Sequence, residues 1–221
     1  MMAHRNLRWH GRGHSSPFSS SNTSSAVSSS NSSSTESSTG PEGIQKFNHQ
    51  LSRLGLILHS VPSDGNCLFS AFADQLTGRV SNHDLFRTQA VNYLRDHRHE
   101  MRPFCSGGSY KEMLQQLAQD GTYGDHMSIV ALARVHHVDV IVHQLGQPPR
   151  LVARGCSSSS PLKQVHLAYH DDIEHYSSVR YIDGPFSGPA LVQTDLRSLK
   201  STNTRSPTRR RKHSHHISSH H

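Results

Sequence analysis

One stretch constrains this chain more than any other: Ser63-Asp64-Gly65-Asn66-Cys67-Leu68-Phe69-Ser70-Ala71-Phe72-Ala73-Asp74-Gln75-Leu76. It begins with Asp, Gly and Asn, residues that tolerate tight backbone geometry, so it opens as a turn. It continues with Leu68, Phe72 and Leu76 at i, i+4, i+8, so it becomes a helix with one apolar side. Cys67 falls at the joint. Unpaired N–H groups and the positive end of a helix dipole favour a thiolate there. Such placement can lower a cysteine pKa from ~8.5 to ~3.5–7.5. A buried structural cysteine fits the same residues equally well. A base elsewhere in the chain has to decide between the two.

The material for a core is unevenly spread. Residues 1–43 carry runs such as Ser19 to Ser21 and offer almost nothing to bury, which predicts a disordered N-terminal region. Residues 44–198 hold nearly all the apolar periodicity and suffice for one domain, with a core over 54–182. The formal net charge of +7 is just as local. Lys and Arg balance Asp and Glu at 14 each over residues 44–198, whereas residues 199–221 hold 6 basic and 0 acidic residues. The high isoelectric point therefore describes a basic, His-rich tail, expected to be disordered, and not a nucleic-acid-binding fold. Arg205, Arg209, Arg210, Arg211 and Lys212 are read as a solvated tail or a nuclear localisation signal. Cysteines 67, 105 and 156 are odd in number and widely spaced, with no apolar run of ~18 residues for a membrane span. A reducing, cytoplasmic setting is expected, with the nucleus reachable through the tail.

The local patterns predict helices first and strands late. Ile44 to Leu54 forms a lead-in helix with Ile44, Phe47 and Leu51 on one side, and Leu54 to Val61 approaches the Cys67 turn as a strand. After Thr77-Gly78 a second helix starts from Ser81-x-x-Asp84, burying Phe86, Ala90, Tyr93 and Leu94 and leaving Arg87, Arg95, Asp96 and Arg98 solvated. A capping box, Ser109-x-x-Glu112, starts a third helix, with Gly121 as its C-terminal cap. A helix apolar almost all round spans Asp125 to His136. Val138 to His143 is a central strand, 146–161 a loop, Val165 to His170 an alternating strand, and His175 to Ile182 another. This order indicates an α+β fold, a small central β-sheet flanked by helices.

Twenty histidines make the search for a base noisy. Those in the flanks are set aside, His97 and His99 fall near a solvated helix end, and His136 and His137 sit at a helix terminus. His175 opens a strand after the acidic turn Asp171-Asp172. On a strand His175 and Ser177 share a face, opposite Tyr176 and Ser178, so Ser177 is placed to touch the imidazole. Taken alone, His175 reads as a packing histidine rather than a catalytic one.

The two stretches together carry more. Asp64-Gly65-Asn66-Cys67-Leu68-Phe69 ahead of a helix, with Glu174-His175-Tyr176-x-Ser178-Val179 about a hundred residues later, resembles the OTU (ovarian tumour) family of cysteine deubiquitinases. The similarity runs from about Leu54 to Ile182. It implies a papain-like thiol protease fold and hydrolysis of ubiquitin isopeptide bonds, without a cofactor. By that resemblance Cys67 is the nucleophile, His175 the general base and acid, and Asp64 the active-site aspartate. The backbone of Asp64, Gly65, Asn66 and Cys67 supplies the oxyanion hole. The partners implied are ubiquitin, its chains and ubiquitinated proteins, met by a monomer, with no membrane or specific nucleic acid. Ser177 stands where the family usually has Asp or Asn. Its hydroxyl can orient the imidazole but cannot stabilise an imidazolium as a carboxylate does. The alternative is a weak or inactive domain that binds ubiquitin without cutting it. His213, His215, His216, His220 and His221 could bind zinc loosely, but no set of Cys and His inside the domain has structural-zinc spacing.

Overall fold

In the computed structural model the described residues are 40–105, 108–155 and 163–195. The expectations for the Ser-rich region before residue 40, the basic tail and Cys156 lie outside them. Six helices and five strands follow in the order α1 (Pro41–Ser52), β1 (Leu56–His59), α2 (Cys67–Thr77), α3 (His83–Asp96), α4 (Arg98–Met101), α5 (Tyr110–Leu117), α6 (His126–His136), β2 (Val138–Gln144), β3 (Arg150–Ala153), β4 (Lys163–His170) and β5 (His175–Tyr181). The strands form one sheet in the order β1-β5-β4-β2-β3. Only β2 and β4 run parallel; the other neighbours are antiparallel. The expected α+β architecture is borne out.

Two apolar layers sandwich the sheet. The larger joins Leu68, Phe69, Phe72, Phe86, Leu94 and Leu132 from the helices to Val140, Val165, Leu167 and Tyr176 from the strands. The smaller packs Phe47 and Leu51 of α1, with Ala190 and Val192, against Leu56, Ala168 and Val179. β4 and β5 are thus covered on both faces. β4 does not alternate between inside and outside as expected: His166 and His170 are buried along with Val165, Leu167 and Tyr169.

Several local expectations give way to tertiary structure. α1 starts at Pro41, where a proline is tolerated because the first-turn N–H has no helical partner. Ile44 is 40% exposed, and only Phe47 and Leu51 anchor that face. Ser81 caps nothing; it lies in a short 3-10 turn before α3, whose N-cap is Asn82. The Ser109 cap does form, its hydroxyl accepting from Glu112 N–H, but the C-cap of α5 is Ala118 and not Gly121. The segment read as a loop over 146–161 contains the edge strand β3, too short to leave a periodic signature.

Candidate active site

The loop that precedes α2 is built from short side chains that bond their own backbone. Asp64 Oδ1 accepts from Asn66 N–H at 2.9 Å, an Asx turn. Gly65 sits at φ +82°, and a Cβ there would lie 1.7 Å from Gly121 O. No other residue fits that position. Asn66 is the N-cap residue of α2, yet its side chain makes no capping bond. Its Oδ1 instead accepts from Gly121 N–H at 3.0 Å and from Arg87 Nη2 at 2.5 Å. Cys67 follows as the first residue of α2 and is only 3% exposed.

The helix start does not leave Cys67 with a lowered pKa. Burial pushes the thiol above its ordinary value, against the N–H groups of Tyr176, Leu68 and Cys67 itself, and the Asp64 carboxylate adds to the rise. Desolvation outweighs the helix dipole because so little of the sulfur meets water. Asp64 is exposed, and its own pKa is lowered: burial works against this, but hydrogen bonds from Asn66 and the Asp64 N–H outweigh it, helped by His83.

The second stretch arrives at the same place. The backbone N–H of Tyr176 lies near enough to Cys67 to favour its thiolate. Tyr176 directly follows His175, the first residue of β5, so the start of β5 comes close to the thiol. Glu174, at φ +51°, makes the turn into this strand. The His175 pKa is lowered by burial and by His170, with the Asp64 carboxylate opposing.

Ser177 takes a different partner from the one expected. The β4–β5 register sets His170 opposite His175 and Ala168 opposite Ser177. His170 therefore lies diagonal to Ser177 on one face, and His170 Nε2 meets Ser177 Oγ at 3.1 Å. The His170 and His175 rings are 5.8 Å apart. The hydroxyl thus serves the neighbouring histidine.

Sequence reasoning missed the link that holds α2 to β5. Asp74 and Arg180, 2% and 1% exposed, form a bidentate ion pair, with Arg180 Nη2 2.6 Å from Oδ1 and Nε 2.9 Å from Oδ2. Ser178 Oγ donates to Asp74 Oδ2 at 2.6 Å, and Gln75 Nε2 donates to Ser178 Oγ and Val179 O. Arg180 also reaches Pro185 O and Gly188 O. The only signal in sequence was Ser178 and Arg180 alternating with His175 on one strand. Tyr123 was also missed: it stacks on Tyr176 at 6.2 Å, and Tyr169 lies 4.9 Å from Tyr176. Among the described residues no three His, Cys, Asp or Glu side chains converge as a metal site would require.

A family model described as an OTU-like cysteine protease matches residues 62–176, just over half of the chain and the whole path from the Asx turn to Tyr176. The chain belongs to this family. OTU domain-containing protein 3 of Mus musculus is 38% identical over 159 residues, 72% of this chain and 39% of that protein. OVARIAN TUMOR DOMAIN-containing deubiquitinating enzyme 7 of Arabidopsis thaliana is 32% identical over 158 residues, 70% of this chain and 41% of that protein. The chain thus spans about two-fifths of the length of these relatives. The OTU domain of OTUD1 superimposes with a TM-score of 0.56 at 22% identity, covering 62% of this chain and 93% of that one, and shows the same fold. This OTU domain carries both stretches singled out in the sequence within or beside the matched span.

Proposed function

We propose that this OTU domain is a cysteine deubiquitinase in which Cys67 attacks the isopeptide carbonyl and His175 moves the protons. The observation that carries the reading is the approach of Tyr176, next to His175 at the start of β5, to Cys67 at the start of α2. Membership of a cysteine protease family and a relative named as a deubiquitinating enzyme support it.

At rest thiol and imidazole are both neutral, since burial raises one pKa and lowers the other. His175 takes the Cys67 proton as sulfur bonds to the carbonyl carbon, leaving charge on the carbonyl oxygen. The Asn66 N–H is bonded to the Asp64 carboxylate, which the Asp64 N–H also serves, so the oxyanion falls to the N–H groups of Gly65 and Cys67, two donors where four residues were expected. The tetrahedral intermediate collapses, the lysine amine leaves with the proton from His175, and a thioester remains. Water then gives its proton to the imidazole, attacks the thioester and returns Cys67 as a thiol. Asp64 favours the imidazolium through its charge, a task Ser177 does not perform. A reducing setting fits the chemistry, which needs Cys67 as a thiol.

Ubiquitin chains are the proposed substrates. Di-ubiquitins of every linkage, incubated with wild type, Cys67→Ala and His175→Ala, test this: the wild type cleaves at least one linkage and both variants cleave none. A wild type inert on every linkage contradicts it. Ser177 bonded to His170 favours a second reading, a domain that binds ubiquitin without cutting it; retained ubiquitin binding beside absent cleavage identifies that case.

A further inference from the structure

Arg87 is the least expected buried group near the site. Helical spacing places it with Arg95 on the solvated side of α3, yet it is 4% exposed. Nη1 donates to Leu117 O at 2.8 Å, and Nη2 donates to Asn66 Oδ1 at 2.5 Å and to Gly65 O at 3.4 Å. The guanidinium carbon lies 4.3 Å from the centroid of the Phe69 ring. One planar fork thus touches the loop before α2, the end of α5 and a ring within α2. Desolvating a guanidinium is costly, and these bonds together offset it.

Asn66 gives independent testimony. Asn at an N-cap ordinarily turns its side chain to the first-turn N–H groups. Here it turns away, and Oδ1 is shared between Arg87 and Gly121 N–H. Gly121 packs so closely on Gly65 that neither tolerates a side chain without strain. The Asp64–Asn66 loop is therefore held from outside, by α3 and the 117–121 turn, rather than by the helix it begins.

We propose that Arg87 is a positioning residue for thioester formation: through Asn66 Oδ1 and Gly65 O it holds the Gly65 and Cys67 N–H groups where the carbonyl oxygen develops charge. This rests on the deubiquitinase reading and adds a residue to it. Lysine keeps the charge near Cys67 but cannot span Leu117 O and Asn66 Oδ1 at once.

The test uses the full chain, a ubiquitin bearing a C-terminal fluorogenic amide, and iodoacetamide. Alkylation at Cys67, followed by peptide mass, needs the thiol but no oxyanion hole. Arg87→Lys lowers kcat by about tenfold to a hundredfold, the scale of a small misplacement at a reacting centre, with KM and Cys67 alkylation unchanged. Asn66→Ala gives a similar loss, and the double variant loses no more than either single one. Wild-type kcat in Arg87→Lys, losses that multiply, or alkylation falling in step with turnover overturns the proposal. If Arg87→Lys does not fold, Asn66→Ala decides: a lowered kcat with intact alkylation supports it, and an unchanged kcat overturns it. A wild type that turns over nothing overturns the deubiquitinase reading itself, and the role of Arg87 with it.

Discussion

His175, the proposed base, can take a proton only while neutral, and the forces on its ring determine the pH at which it stops. Burial and the His170 ring beside it lower its pKa; the Asp64 carboxylate opposes them less strongly. A lowered imidazole pKa keeps the ring neutral further into the acid range. The acid limb of kcat/KM therefore has its midpoint below the ordinary histidine value of ~6.5. His170→Asn removes one lowering influence and moves that midpoint upward. Midpoints at or above the ordinary value, or a downward move in the variant, contradict this account of the ring. At this scale the sequence picked out the residues proposed to react and misjudged their surroundings. Cys67 and His175 stood out because a turn-helix joint and a strand after an acidic turn are local patterns. The raised Cys67 pKa, the Ser177–His170 bond and the buried Arg87 were hidden because each depends on an element far along the chain.

The elements that bear those two residues are locked together by charge as well as by apolar packing. Asp74 on α2 and Arg180 on β5 meet almost out of contact with water, and Ser178 and Gln75 extend the contact. A buried pair of this kind stabilises little compared with apolar residues of the same shape, but losing one partner strands the other charge. Asp74→Ala therefore costs about 3–5 kcal/mol, seen as a lowered midpoint in denaturant unfolding. Replacing Asp74 and Arg180 together with apolar residues costs much less. Equal losses in the single and double variants would show that the charge pair is not what joins α2 to β5. The element types were largely legible: α2, the Ser109-capped α5, α6, β2, β4 and β5 follow from periodicity and caps. β3 was not, because four residues at a sheet edge, flanked by turn-forming residues, carry no period of their own.

Across the whole molecule the sheet buries imidazoles that play no part in the proposed chemistry. His143 Nε2 and His166 Nδ1 are 2.9 Å apart, and His166 Nε2 meets Gln164 Oε1 at 3.0 Å. Burial brings His143 down to about 4, and burial together with His143 holds His166 well below the ordinary value. The unfolded chain takes up protons near pH ~6.5 while the folded one refuses them, so stability is complete above that pH and is lost as pH falls toward about 4. The loss is about 1.4 kcal/mol per pH unit for each such imidazole. Thermal unfolding followed from pH 7.5 down to 4.5 shows a falling midpoint, whereas a flat profile would contradict the burial of the pair. In the sequence, the expected extent of the domain rests on where apolar periodicity begins and ends. Its two-sided sheet was not, because buried histidines read as polar positions. The central claim is that this fold brings a competent Cys67 to the ubiquitin C-terminus. A ubiquitin carrying a C-terminal electrophile, followed by intact mass and peptide mapping, tests it most directly. The account predicts one ubiquitin added at Cys67 in the wild type, none in Cys67→Ala and much slower addition in His175→Ala; an unlabelled wild type, or labelling elsewhere, would contradict it.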